Sequence, residues 1–276
     1  MNYKIVSDSS SNCFHLGGIP HASVPLKIVT QAKEYVDDET LNVAEMVEEI
    51  KRQNGRSGSS CPNVQEWLDA FEGADRIFAV TITSNLSGSY SSAEQAKTEY
   101  LALHPEAKVC VIDTLSTGPE MLLIMEKLQE CIAAGDDFDA IEEKTRVYMQ
   151  HTHLLFALKS LTNLARNGRV NPAIATIAGA LGICVVGKAS DAGTLEQMHK
   201  CRGERNTLKT AYSSMKKLGF SGGKVRIDHC LNPEAAGQLC GLILQEYPNC
   251  DIQTGTCGAL CSFYAEKGGF LIGFEG

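Results

Sequence analysis

Residues 80–93 read VTITSNLSGSYSSA, and this stretch decides the fold class. The apolar run Ile77, Phe78, Ala79, Val80 and Ile82 predicts a buried strand, which breaks into the hydroxyls of Thr81, Thr83 and Ser84. Ser87-Gly88-Ser89 then turns the chain into a helix carrying Ala93 and Ala96. A strand that ends in a Gly/Ser turn and opens a helix gathers free backbone N–H groups and hydroxyls at one point, where an anion can be held. The turn carries more hydroxyls than one helix cap needs. Ser87, Gly88 and Ser89 are therefore candidate ligand-binding residues.

The neighbouring sequence repeats the alternation. Strands are predicted at 3–7 and 109–112, and 22–29 with 32–36 reads as an extended hairpin. Helical spacing runs through 42–53, 87–100, 119–133 and 139–150, and another helix follows Pro62 through Val64, Trp67, Leu68 and Phe71. Strands alternating with helices imply a parallel sheet covered on both faces, with ligands beyond the carboxyl ends of its strands. Three hydroxyl-rich turns, at 7–11, 81–89 and 113–117, meet that description.

The second half reads differently. A strand at 152–157 leads to a helix at 158–166, closed by Asn167-Gly168. A small-residue helix at 172–181 and an apolar run at 183–186 follow, then a helix at 203–218. A strand at 225–230, a helix from Pro233 and strands near Ile252 and Phe270 complete an α+β unit. The expected architecture is α/β with two domains: residues 1–150, three layers around a parallel sheet, and residues 151–276.

With 43% hydrophobic and 21% charged residues, the 276-residue chain can bury a full core. A net charge of −8 without a long basic run argues against nucleic acid. No stretch has the length of a membrane span, which predicts no stable membrane insertion, and the first residues run straight into a strand, which predicts no leader. The eleven cysteines are odd in number and lack a CxxC; Cys110, Cys184 and Cys230 sit in apolar runs. They are expected as reduced core thiols of a cytoplasmic protein.

Several chemistries find no support. No strand-to-helix nucleophile elbow of the GxSxG type, Walker loop or GxGxxG loop is present, and no histidine–carboxylate cluster has metal-ligand spacing. No catalytic residue and no metal are assigned. What remains is hydroxyls and arginines. Residues 57–60 (SGSS) read as a loop and cap before the helix behind Pro62, with Ser59 and Ser60 as candidates for the same pocket. Arg169 follows a helix end and a glycine turn that can aim a guanidinium inward or simply complement the helix dipole. Arg202 in HKCRG reads equally as a solvated charge.

Taken in order, these pieces resemble the DegV family. The resemblance rests on IVSDSS (5–10), VPLKI (24–28), SSCPN (59–63), TSNLSGSYSSA (83–93), VIDT (111–114), LTNLARNGRV (161–170) and HKCRG (199–203). It implies two domains holding a long-chain fatty acid such as palmitate, stearate or oleate in a tunnel between them. It also implies a kinase catalytic subunit as partner, which phosphorylates the carboxyl group; no other cofactor is implied. Carried over, Ser59 and Ser87 bond the carboxylate, Ser60, Gly88 and Ser89 line the pocket, and Arg169 and Arg202 are nearby cations or face the kinase. The small residues of 173–186 are a candidate tunnel wall. The family's HxGPG is replaced by Thr254-Gly255-Thr256-Cys257-Gly258, which makes Thr254 the matching position for its histidine. Two other readings use the same pocket: a phospho- or acyl-transfer enzyme, or a regulatory module for another small anion.

Overall fold

The computed structural model describes residues 2–53, 55–171 and 182–276. Strands β1 (Tyr3–Asp8), β2 (His21–Val24), β6 (Arg76–Thr81) and β7 (Lys108–Asp113) form a sheet in the order β2-β1-β6-β7, and every pair is parallel. Side chains of a strand alternate between faces, and here each face finds its own core. Val6, Ile77 and Ala79 pack with Trp67, Phe71, Ala93, Ala96 and Tyr100 of helices α2 (Val64–Phe71) and α3 (Ser89–Leu103). Ile5, Phe78 and Val80 pack on the other side with Met121, Ile124, Met125 and Leu128 of α4 (Pro119–Ala133) and Ile141 of α5 (Phe138–Met149). The three-layer parallel unit is therefore as expected.

A second sheet has the order β10-β9-β8-β13-β11-β12: β8 (Thr152–Leu158), β9 (Ile183–Ala189), β10 (Leu195–Arg202), β11 (Val225–His229), β12 (Ile252–Thr256) and β13 (Phe270–Glu275). Only β11 and β12 pair in parallel. Along β8 the alternation sorts Leu155 and Ala157 toward a core with Leu208, Met215, Leu239 and Ile243 of α7 (Glu204–Lys217) and α8 (Pro233–Glu246). Leu154, Phe156 and Leu158 face the other way, into the core that contains α4. Helix α4 is thus shared by both sheets.

A small antiparallel sheet, order β4-β3-β5, lies beside them: β3 (Lys27–Thr30), β4 (Glu34–Val36) and β5 (Ser57–Ser60). Three expectations change here. The predicted hairpin splits, because residues 21–24 join the parallel sheet and only 27–36 fold back. Ser57–Ser60 is not a loop and cap but a strand, paired with β3. The cap of α2 is Asn63, which forms a reciprocal capping box with Glu66, so Pro62 precedes the helix rather than starting it.

Helix α1 (Val43–Arg52) follows β4, α6 (Thr162–Arg166) follows β8, and α9 (Ala259–Ala265) precedes β13. Helix α6 is shorter than predicted because the strand before it continues to Leu158 and the chain turns at Ser160-Leu161. Strand β10 and helix α9 were not predicted: β10 carries polar side chains on an edge, and α9 is too short for helical periodicity to show. The small-residue helix at 172–181, and with it most of the candidate tunnel wall, lies outside the described residues. No helix among the described residues is long and apolar enough to cross a membrane.

Candidate ligand-binding cleft

A cleft opens among α9, α6, β8, β13 and the carboxyl end of the parallel sheet. Its walls are almost wholly hydrocarbon: Leu154, Phe156 and Leu158 from β8, Leu271 from β13, Leu164 from α6 and Leu260 from α9. Its polar groups are Ser59, Ser87, Thr117, Arg169, Tyr264 and the Cys261 thiol, with no histidine or carboxylate among the described lining residues.

Three segments distant in sequence bring the first of these together. Gly88 lets the serine turn approach β5, since a Cβ there would stand 3.1 Å from Cys61 Sγ. Gly58 does the same for the turn after α6: a Cβ would meet Asn167 Oδ1 at 3.0 Å. Arg169 then reaches back, its Nε donating to the Leu86 carbonyl (3.3 Å) and its Nη1 to the Asn167 carbonyl (2.5 Å). Ser59 Oγ and Tyr264 Oη lie 2.8 Å apart in a hydrogen bond. Ser87 Oγ accepts the Ser89 N–H at 3.3 Å. Among the described residues no carboxylate forms an ion pair with Arg169. A half-buried guanidinium and two hydroxyls therefore meet without an anion of their own.

Behind the cleft, two buried carboxylates hold its frame. Asp8 accepts hydrogen bonds from Ser10 N–H and Oγ, from Ile82 N–H (2.9 Å) and from Ser89 Oγ (2.6 Å). Burial pushes its carboxyl up, and these four donors pull it back toward the ionised form. Asp37 accepts from Ser9 Oγ (2.9 Å) and from the first-turn N–H groups of Ala259 (2.5 Å) and Leu260 (3.0 Å). Burial raises it to about 6. Asp37 thus fixes α9, which carries Leu260, Cys261 and Tyr264 into the wall.

The predicted site residues separate accordingly. Ser59, Ser87 and Arg169 share the cleft, and Gly88 stands immediately behind it. Ser89 does not line it: its hydroxyl is buried against Asp8. Ser60 falls on the opposite face of β5, as strand alternation requires. Arg202 is exposed at the end of edge strand β10, beside the inward-facing Cys201. Thr254 is likewise elsewhere, on the opposite edge strand β12, where it borders a separate groove with Asn12 and Asp228. The cleft draws instead on the central strands β8 and β13. Sequence reasoning missed Tyr264 and Cys261, whereas Thr117 comes from the predicted hydroxyl-rich turn at 113–117.

Comparison with known proteins places this geometry. A family model described as "Uncharacterised protein, DegV family" matches residues 2–275. A DegV family protein from Eubacterium eligens loaded with heptadecanoic acid has a TM-score of 0.97 and 43% identity, with 99% of each chain covered. The Streptococcus pneumoniae Fatty Acid Kinase (Fak) B3 protein loaded with linoleic acid has a TM-score of 0.98 and 41% identity, covering 100% of this chain and 99% of that one. A curated DegV domain-containing protein of Streptococcus pneumoniae is 41% identical over 279 residues, 100% of this chain and 99% of its own. With sequence and fold matched from end to end, the chain belongs to the DegV family.

Proposed function

We propose that the protein is a non-catalytic carrier that binds a long-chain fatty acid and presents its carboxyl group to a fatty acid kinase in the cytoplasm. The observation that carries this reading is the cleft itself: hydrocarbon walls lined also by Ser59, Ser87 and Arg169, whose segments pack on one another and whose guanidinium pairs with no carboxylate among the described residues. A carboxylate taken out of water needs charge-assisted hydrogen bonds, and these groups are donors of that kind. The apolar remainder suits the tail. At roughly 0.8 kcal/mol per buried methylene, about 15 methylenes contribute on the order of 12 kcal/mol before ordering costs. The fatty acids carried by the relatives from Eubacterium eligens and Streptococcus pneumoniae, and the kinase named for the latter, support the same reading. In it, residues 1–150 supply the hydroxyl turns, residues 151–276 supply most of the tail wall, and exposed Arg202 is available to the kinase.

The test is denaturing extraction of purified protein followed by mass spectrometry, with binding of added oleate measured in parallel. A fatty acid should be recovered. Replacing both Ser59 and Ser87 by Ala should weaken oleate binding about 100-fold or more, the size expected for two hydrogen bonds to a charged group. Empty extracts together with no oleate binding sink the carrier reading; unchanged affinity in the double variant places the carboxylate elsewhere.

A further inference from the structure

Helix α9 is attached to the small antiparallel sheet at both of its ends. Its first-turn N–H groups are held by Asp37, directly after β4, and Tyr264 near its last turn is hydrogen-bonded to Ser59 on β5. Because β4 and β5 flank the same strand, the sheet fixes the Tyr264 phenol relative to the Ser59 hydroxyl before any ligand arrives. Ser59 itself stands on a boundary. It lines the cleft and also borders an open groove with Thr30, Arg56 and Ser57. A free serine rotor there can turn its proton outward to water.

We propose that Tyr264 is the positioning residue that aims the Ser59 proton at the ligand's carboxylate. The proposal rests on the carrier reading above. Of two hydroxyls 2.8 Å apart, one donates and the other accepts. The phenol is the stronger acid, so it is the better donor. When Tyr264 donates to Ser59 Oγ, the Ser59 proton must point away from the ring, and the cleft is where an anion can receive it. The reverse arrangement would turn Ser59 lone pairs toward a negative head group. A carboxylate therefore selects the chain Tyr264 to Ser59 to ligand, in which each bond polarises the next. A neutral head group makes no such selection, because an alcohol both donates and accepts.

The experiment uses the full-length protein and displacement of a fluorescent fatty acid by oleate or by oleyl alcohol. Tyr264→Phe keeps the ring and removes only the hydroxyl, and its thermal midpoint should match the parent. It should lower oleate affinity about 5- to 10-fold, the size of one hydrogen bond, and leave oleyl alcohol within about 2-fold. In a Ser59→Ala background the same change should have no further effect on oleate. Equal losses for both lipids, or losses that add to those of Ser59→Ala, overturn the proposal. A parent protein that binds neither lipid overturns the carrier reading and this inference with it; normal parent binding with an insensitive Tyr264→Phe overturns the inference alone.

Discussion

Ser87 and Ser89 stand two residues apart on one turn, and their hydroxyls serve opposite sides of it. Ser89 donates inward to Asp8, a carboxylate that belongs to the fold and is held by four donors. Ser87 edges the cleft beside Ser59 and Arg169, where the surrounding donors have no resident anion. The same residue types, supplied by one short sequence, thus build one closed polar cluster and one open one. Glu120 supplies a third case: buried, with the hydroxyls of Ser116 (2.5 Å) and Thr152 (2.8 Å) as its side-chain partners among the described residues. Its carboxyl is pushed up by burial to about 7.

The comparison breaks most visibly at Asp8. Asp8→Ala removes the resident carboxyl group and strands its donors, and should cost about 3–5 kcal/mol of stability in urea unfolding. A loss below about 1 kcal/mol would show that the closed cluster does not hold the turn.

Glu120 sharpens the contrast through pH. Its folded-state value lies above the ordinary carboxylate range, so the folded protein binds this proton more tightly than the unfolded chain. Its contribution is therefore most favourable at pH 4 and declines as pH rises toward 7, by about 3 kcal/mol in all. Burial also raises Asp37 to about 6 and Asp228 to about 7, which adds to the same decline. Glu120→Gln should remove Glu120's share and flatten the stability profile between pH 4.5 and 7; an unchanged slope would contradict the assignment.

The smallest effects separate the paired serines themselves. Ser89→Ala should cost about 1–2 kcal/mol of stability while oleate binding is kept. Ser87→Ala should change stability by less than about 0.5 kcal/mol and weaken oleate binding about 10-fold or more. If both variants lose stability equally and ligand not at all, the turn is one cluster and not two.

Legibility followed the range of the forces. The parallel sheet and its helices were readable because alternation, apolar spacing and the 87–89 turn are local signals. Ser57–Ser60 was misread because SGSS has no strand propensity, and only pairing with β3 makes it one. Ser89 was assigned to the pocket with Ser87 because nothing in the sequence says which hydroxyl a buried aspartate will take. Thr254 was placed by motif correspondence, whereas β12 lies at the sheet edge. Tyr264 carried no local signal, since its partner Ser59 lies on β5, far away in the sequence.

That last contact has a consequence for how the cleft comes into being. Ser59 and Tyr264 are 205 residues apart, Asp37 and Ala259 are 222 apart, and Ser10 and Cys261 are 251 apart. Contacts of such long sequence separation close late in folding, because chain entropy opposes them until the rest is in place. On a ribosome the parallel sheet can form while α9 is still unsynthesised, and the cleft lacks the wall of Leu260, Cys261 and Tyr264 until residues 259–265 have emerged. On the proposed carrier reading, a fatty acid can therefore seat fully only after α9 has docked against the small sheet.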